Sequence, residues 1–324
     1  MATADVAVTG IGLVTPLGAS ARETFAAWQA GRCAERRRLP ELAGTALESA
    51  DAAVLPPFDP AARLGGRRML KFMSDAAVLG CIAAHEACAE AAIRSRFRPE
   101  RVGLFAATGL AAAGVEDVVP LIRESIGPDG RFSCRLLGER GLPATNPLLS
   151  FKILANMPPC IISIIESIKG PNCIFTPWED QAAQALIEAW RAVADGDADC
   201  AVAGAADSPA HPATLIFLRQ AGHLREGEFP ADAAAYIIME RAETAARDGR
   251  PVHARIESLE LRESDGAADP LAGEWLARIG CAFAAAPALL LALACMGLAP
   301  GSLPCPGRTG GATHEFRVSL RGAR

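Results

Sequence analysis

Ten cysteines are present, yet the chain has no Cys-x-x-Cys pair and no cysteine–histidine cluster with the spacing of metal ligands. That absence removes the zinc-ribbon and disulfide-framework classes and leaves the cysteines as small, reduced, apolar residues of a chain expected in the cytoplasm. Met1-Ala-Thr-Ala-Asp-Val-Ala-Val8 has no basic stretch leading into an apolar core, so a secretory leader is not expected. Basic residues are scattered, the net charge is −5, and the one dense run, Arg36-Arg37-Arg38, reads as a solvated loop. A nucleic-acid partner is therefore not expected. Nor is a lipid-facing span: residues 279–298 are apolar and nearly long enough, but Pro287, the glycines and the small side chains suit a buried helix pair. No metal, nucleotide or flavin site emerges, and no cofactor is expected.

With 324 residues, half of them apolar, the chain can bury one large core or two medium ones. An apolar run from Asp5 to Thr9 ends in the glycine-rich turn Gly10-Ile-Gly-Leu-Val-Thr-Pro-Leu-Gly18. Pro16 and the misplaced third glycine argue against a dinucleotide fingerprint. Ser20 and Glu23 form a capping box for a helix to about Ala30, and residues 32–64 are rich in loops. Between Arg67 and Ile93, Leu70, Met73, Ala77, Leu79, Ile82 and Ala83 recur near helical spacing, with Lys71, Asp75 and His85 on the exposed or interface side. Strands are expected at 101–109, 172–176, 199–204, 231–240, 252–261 and near the C-terminus. Helices are expected over 115–125, through Met157 until Pro158-Pro159 breaks it, over 160–168, and from about Glu179 to Gly196.

Several of these pieces, in this order, resemble the β-ketoacyl-ACP synthases: the Gly10–Gly18 turn, the Asn156-Met157 pair, Gly170-Pro171 before a strand, Gly196-Asp-Ala-Asp199, and the strand 231–240. The likeness is strong over 6–18 and 156–240 and weak beyond. It implies an α/β, thiolase-like layered α-β-α-β-α fold, with a complete N-terminal half over 1–248 and a shortened C-terminal half over 249–324. In that family a nucleophilic cysteine follows the proline by eight residues and precedes the Gly-Asp-Ala-Asp turn by seventeen. Both counts land on Glu179, flanked by Trp178, Asp180 and Gln181. A helix N-terminus lowers a thiol's pKa and also stabilises a carboxylate, so Glu179 and Asp180 are equally readable as ordinary first-turn acids.

The same resemblance locates what is missing. The family's His-Gly-Thr-Gly-Thr loop has no counterpart between Leu261 and Gly280, and the second histidine position is filled by Cys281. His314 survives on the last strand, expected beyond any gate loop. Thr108, Met157 and Phe229 stand at family pocket positions and are equally readable as core, while Cys160 and Cys173 read as packing residues. Condensation needs a thiolate and two imidazoles, none of which occurs at a matching position.

The resemblance therefore implies a non-catalytic subunit of the chain-length-factor type. Such a subunit pairs with an active β-ketoacyl-ACP synthase in type II polyketide or fatty acid biosynthesis, meets an acyl carrier protein, and shapes the acyl tunnel. Two other readings stay open: a stand-alone decarboxylase or hydrolase of carrier-bound acyl groups using Glu179, and a homodimeric scaffold. In each, the apolar strand 172–176 is expected to pair across a two-fold axis, since an open edge invites association.

Overall fold

The computed structural model describes residues 5–110, 114–224, 227–264, 274–275, 277–297, 302–305 and 313–322. Among these residues ten strands are formed: β1 (Val6–Val14), β2 (Arg36–Arg38), β3 (Asp51–Ala53), β4 (Val102–Thr108), β5 (Asn172–Phe175), β6 (Cys200–Asp207), β7 (Ala233–Arg241), β8 (Ala254–Ser264), β9 (Ser302–Cys305) and β10 (Thr313–Gly322). Seven helices matter below: α1 (Ala21–Gln29), α2 (Asp75–Ala91), α3 (Val115–Glu124), α4 (Met157–Glu166), α5 (Glu179–Asp195), α6 (Pro212–Gln220) and α7 (Ala286–Cys295). Eight strands make one sheet in the order β5-β4-β6-β7-β1-β8-β10-β9, and β2 and β3 form a separate hairpin. β4 runs parallel to both β5 and β6, and the other pairings are antiparallel.

β4 (VGLFAAT) and β6 (CAVAGAAD) are buried along their whole length, the expected pattern where a parallel sheet is covered on both faces. Along β7 the pleat divides its side chains between two cores: Ala235, Ile237 and Met239 face α5 and α7, while Tyr236 and Ile238 face α2. The sheet curls so that β8 and β10 return over α5 and α7, and Ile256, Leu259, Phe316 and Val318 join the same core. The outward residues of these two strands include Glu257, Arg262, Arg317 and Arg321, all exposed, a charged face that gives a further helix layer nothing apolar to bury.

The glycine-rich segment expected as a turn is instead the second half of β1, and only Thr15 to Gly18 turns. The glycines serve contact. A Cβ on Gly12 would stand 1.8 Å from the Ala83 carbonyl oxygen, and one on Gly10 2.3 Å from that of Ala87, so α2 lies directly on the strand. β8 pairs only with Val6 to Val8 of β1. Beyond that point carboxylates of α2 take over: Glu90 Oε2 accepts from the Ile11 N–H at 2.7 Å and Glu86 Oε2 from the Leu13 N–H at 3.1 Å.

Other boundaries shifted for local reasons. α2 begins at Asp75, because the Ser74 hydroxyl caps it by accepting from the Ala77 N–H, and the preceding turn is a short 3₁₀ piece. Pro158 and Pro159 lie in the first turn of α4, where their missing N–H groups cost nothing, so they start a helix that begins at Met157. β6 continues through Asp207, past the expected strand end at 204. Arg36–Arg38 is a strand, fully exposed as expected but not a loop. The apolar stretch from residue 279 becomes a 3₁₀ turn (Phe283–Ala285) and the ten-residue α7. No helix among the described residues is long and apolar enough to cross a membrane. The end of the apolar stretch at Leu298 and part of the gap between Leu261 and Gly280 lie outside the described residues.

Candidate functional site

The site assembles at the carboxyl ends of the parallel strands, where α/β sheets place their ligands. β5 leads into Thr176, whose hydroxyl donates to the Gly109 carbonyl at 3.3 Å, and α5 then begins with Glu179 and Asp180. Both carboxylates are buried, with 4% and 5% of their surface exposed, at a helix start whose cap residue, Trp178, makes no side-chain cap bond. The unpaired N–H groups and dipole of a seventeen-residue helix favour negative charge there. Gln181, in the first turn, is part-exposed, and its N–H donates to the Trp178 carbonyl at 3.1 Å.

Cys281 reaches the same place from the C-terminal half. Its N–H donates to the Phe229 carbonyl at 2.8 Å, and its own carbonyl accepts from the Ala231 N–H at 2.9 Å. Gly280 takes φ +99°, and a Cβ there would meet the Phe229 ring at 2.6 Å, so glycine is required before the cysteine. Burial pushes the Cys281 thiol up to about 12, with the Glu179 charge adding to the shift. The shift disfavours the thiolate that a nucleophile needs.

Asp207, at the end of β6, ties the two halves together. Its Oδ1 accepts from the Ser208 N–H at 2.8 Å and its Oδ2 from the Ala284 N–H at 3.1 Å. It is 1% exposed, and burial raises its carboxyl to about 8, against the two backbone hydrogen bonds that lower it. Above Glu179, Trp178 lies 4.8 Å from the His223 ring, with Phe283 edge-on at 6.0 Å and Phe217 at 6.2 Å. His314, expected further away, brings its Nδ1 to 3.7 Å from Asp180 Oδ2. The final strand therefore delivers an imidazole to the start of α5.

Trp178, Glu179, Asp180, Phe229, Cys281 and His314 are thus brought together. Thr108 sits at the margin, donating to the Ala155 carbonyl at 3.3 Å and lining a cavity of only about 30 Å³ with Leu110 and Ser208. That space holds a water, not an acyl chain. Met157, by contrast, packs at the start of α4 in the α2-side core. Sequence reasoning missed Asp207, Phe217, His223 and Phe283. Asp207 had a usable signal, a lone acid closing an otherwise apolar parallel strand. The aromatic residues, scattered over three segments, had none. Among the described residues no group of three or more histidine, cysteine, aspartate or glutamate side chains could hold a metal ion. What remains is acid-rich: it can bind, orient and exchange protons.

A curled mixed sheet with helices on both faces and a site at the start of a buried helix defines a thiolase-like α/β protein. The family model for the β-ketoacyl synthase N-terminal domain matches residues 3–240, and the chain belongs to that family. The actinorhodin polyketide β-ketoacyl synthase 1 of Streptomyces coelicolor is 24% identical over 275 residues, covering 79% of this chain and 57% of its own length. The oxytetracycline polyketide β-ketoacyl synthase 1 of Streptomyces rimosus is 25% identical over 268 residues, covering 78% and 61%. The chain therefore spans about three fifths of these relatives.

Solved structures agree on the fold. The ishigamide ketosynthase/chain length factor superposes with TM-score 0.74 at 16% identity, covering 100% of both chains. A type II polyketide acyl-carrier protein in complex with its ketosynthase bound to the hexaketide gives 0.72 at 13%, covering 98% and 99%. A β-ketoacyl synthase from Burkholderia phymatum STM815 gives 0.72 at 18%, covering 99% and 100%.

Proposed function

We propose that this ketosynthase-like chain is a non-catalytic subunit that pairs with an active β-ketoacyl-ACP synthase and meets an acyl carrier protein in type II polyketide or fatty acid biosynthesis. The carrying observation is the pair Glu179 and Cys281: a carboxylate starts α5, and the nearby thiol is held neutral by burial and by that carboxylate. The division of labour follows from this chemistry, since condensation requires a thiolate and imidazoles that a partner subunit would supply. Pairing is supported by β5, an edge strand whose Asn172 and Cys173 are exposed, and by large apolar side chains on the segment joining β4 to β5, with Phe132 54%, Leu142 58% and Ile164 63% exposed. The ketosynthase/chain length factor and the carrier-bound ketosynthase named among the similar structures lend the partners their identity. The tunnel role places the acyl space at the subunit boundary, because the cavity beside Thr108 is too small to contain it.

The test is reconstitution with acyl and malonyl carriers. Condensation is expected only when this chain and an active ketosynthase are both present, and Glu179→Cys alone adds none to the isolated chain. Condensation by the isolated wild-type chain, abolished by Glu179→Ala, overturns the proposal. The second reading, a stand-alone decarboxylase or hydrolase of carrier-bound acyl groups, is favoured by one observation, the approach of His314 to Asp180. It requires turnover by the isolated chain that falls at least tenfold in both Glu179→Gln and His314→Ala. Retained turnover in both variants, or none in the wild type, removes it.

A further inference from the structure

Along α4 the buried side chains fall in one helical stripe, Pro158, Ile161, Ile162 and Glu166. The first three are apolar, and the stripe ends in a carboxylate with only 3% of its side chain exposed. That carboxylate stands in a doubly unfavourable place. Burial disfavours its charge, and so does the negative end of the helix dipole at the C-terminus of α4. Two basic side chains from other segments hold it there. His85 Nδ1, on α2, lies 2.7 Å from Glu166 Oε1, and Arg94 Nε, on the short helix Ile93–Arg96, lies 3.3 Å from Glu166 Oε2. Arg94 also donates to the Ile165 carbonyl, so one guanidinium both caps the end of α4 and pairs with its last side chain.

The end of α4 leads straight to the sheet edge. Ser167 takes φ +58°, a left-handed turn in which its N–H donates to the Ser163 carbonyl, and the Ile168 N–H donates to the same carbonyl at 3.0 Å. The Lys169 and Gly170 N–H groups then donate to the Pro99 and Val102 carbonyls at 2.9 and 3.0 Å. The Pro171 carbonyl accepts from the Leu104 N–H at 2.9 Å, and the chain lies alongside β4 as β5 begins at Asn172. The inward face of α4 therefore carries the acid and its partners, while Cys160 and Ile164 are exposed on the same helix.

We infer that His85, Glu166 and Arg94 form a proton-controlled clasp: protonation of His85 tightens the end of α4 and, through residues 167–171, fixes the placing of the β5 edge. Where it extends to pairing, the inference rests on the proposed function, since β5 is the seam of that proposal. Of the two basic partners, only the imidazole changes charge near neutral pH. Its bond to Glu166 raises the His85 pKa above the ordinary 6.5, against burial and the charges of Arg94 and Arg63, which lower it. The contribution of the clasp is therefore present just below pH 6.5 and is lost as pH rises through the raised value, where neutral His85 leaves Arg94 as the one cation on Glu166. Arg63, from the helix Pro60–Arg63, is shared with Glu86 at 4.0 Å. On α2 itself, burial and the Glu166 charge push the Cys81 and Cys88 thiols up, so neither adds a charge in this range.

The experiment follows amide hydrogen exchange over residues 157–172 at pH 6.0 and 8.5, corrected for the intrinsic rate, in the chain alone and co-purified with an active type II ketosynthase. The Kd for pairing is measured at both values. Protection of the Ile168, Lys169 and Gly170 amides is expected to fall at least threefold from the lower pH to the higher, and Kd to rise at least threefold. Asp207 also changes charge in this interval, so the measure is the difference between wild type and His85→Gln, which is expected to lose at least half of each change. His253→Gln, whose ring meets Glu90 instead, is expected to lose less than a fifth. His85→Lys, charged at both values, should hold the low-pH protection at pH 8.5. Changes as large in His85→Gln as in the wild type, or a wild type with none, overturn the inference, and a Kd equal at both values overturns its link to pairing. The two claims fail separately. A His85-dependent change in exchange with no ketosynthase complex at either pH removes the pairing and leaves the clasp, whereas a complex whose exchange is indifferent to His85 removes the clasp and leaves the pairing.

Discussion

β7 and β10 sit in one sheet and are treated very differently by their surroundings. All but the last residue of β7 are buried, with α2 against one face and α5 and α7 against the other. β10 buries Phe316 and Val318 on its inner face and shows Arg317 and Arg321 to solvent on the other. The contrast extends to charge. Glu240, at the end of β7, is fully buried and held by Arg96 through bonds of 2.6 and 2.8 Å, with the Thr9 hydroxyl donating at 2.5 Å. Glu315 and Arg317 on β10 form an exposed pair at 2.8 Å. One region is a sheet enclosed in helices and the other a single-faced cover for α5 and α7. The chemistry follows that division. The parallel strands lead to the buried acids at the start of α5, whereas the segments after β8 contribute a raised thiol and one imidazole.

The largest effect that sharpens this contrast is expected at Glu240. Removing a buried, bonded charge leaves Arg96 only Asp248 as an ion-pair partner and takes the acceptor from the Thr9 hydroxyl, so Glu240→Ala should cost about 3 kcal/mol in urea unfolding. A loss below about 1 kcal/mol would mean that the N-terminal region is far more plastic than its burial implies. Next is Asp207. The folded chain holds its proton to about pH 8, while the unfolded chain releases it near 3.8, so the proton's contribution to stability is lost as pH rises between those values and is constant above them. Relative to wild type, Asp207→Asn should therefore gain a few kcal/mol from pH 4 to pH 8. A difference that moves the other way contradicts a buried, protonated Asp207.

A smaller effect is expected at Tyr236, the only tyrosine in the chain. Its hydroxyl is buried in the α2-side core without a hydrogen-bond partner among the described residues. Tyr236→Phe should leave stability unchanged or raise it by up to about 1 kcal/mol, read from the same denaturation curve. A clear loss would reveal a bound water or sulfur contact that the packing depends on. Smallest of all, Arg317→Ala should leave the unfolding midpoint unmoved, because the pair is exposed. A measurable shift there would weaken the division between enclosed and single-faced regions.

The sequence revealed most where one physical signal dominated. Continuous apolar runs located β4, β6 and β7, and the turn at Gly196, with φ +86°, ended α5 where expected. The expected helix from about Glu179 begins at Glu179. What was illegible was contact between distant segments. Gly10 and Gly12 looked like a turn because nothing in their own neighbourhood indicates that α2 will lie against them. Pro158 and Pro159 looked like a break because their effect depends on where the helix starts. His314 seemed remote because only the curl of the sheet brings β10 back to Asp180. Asp207, His223 and Phe283 became part of the site through the same long-range closure.

The most direct test of the account is the mass of the species purified after co-expression with an active type II ketosynthase. A one-to-one complex of the two chains is predicted, with β5 at its seam. A homodimer of this chain, unchanged in mass and amount whether or not the ketosynthase is present, would contradict it.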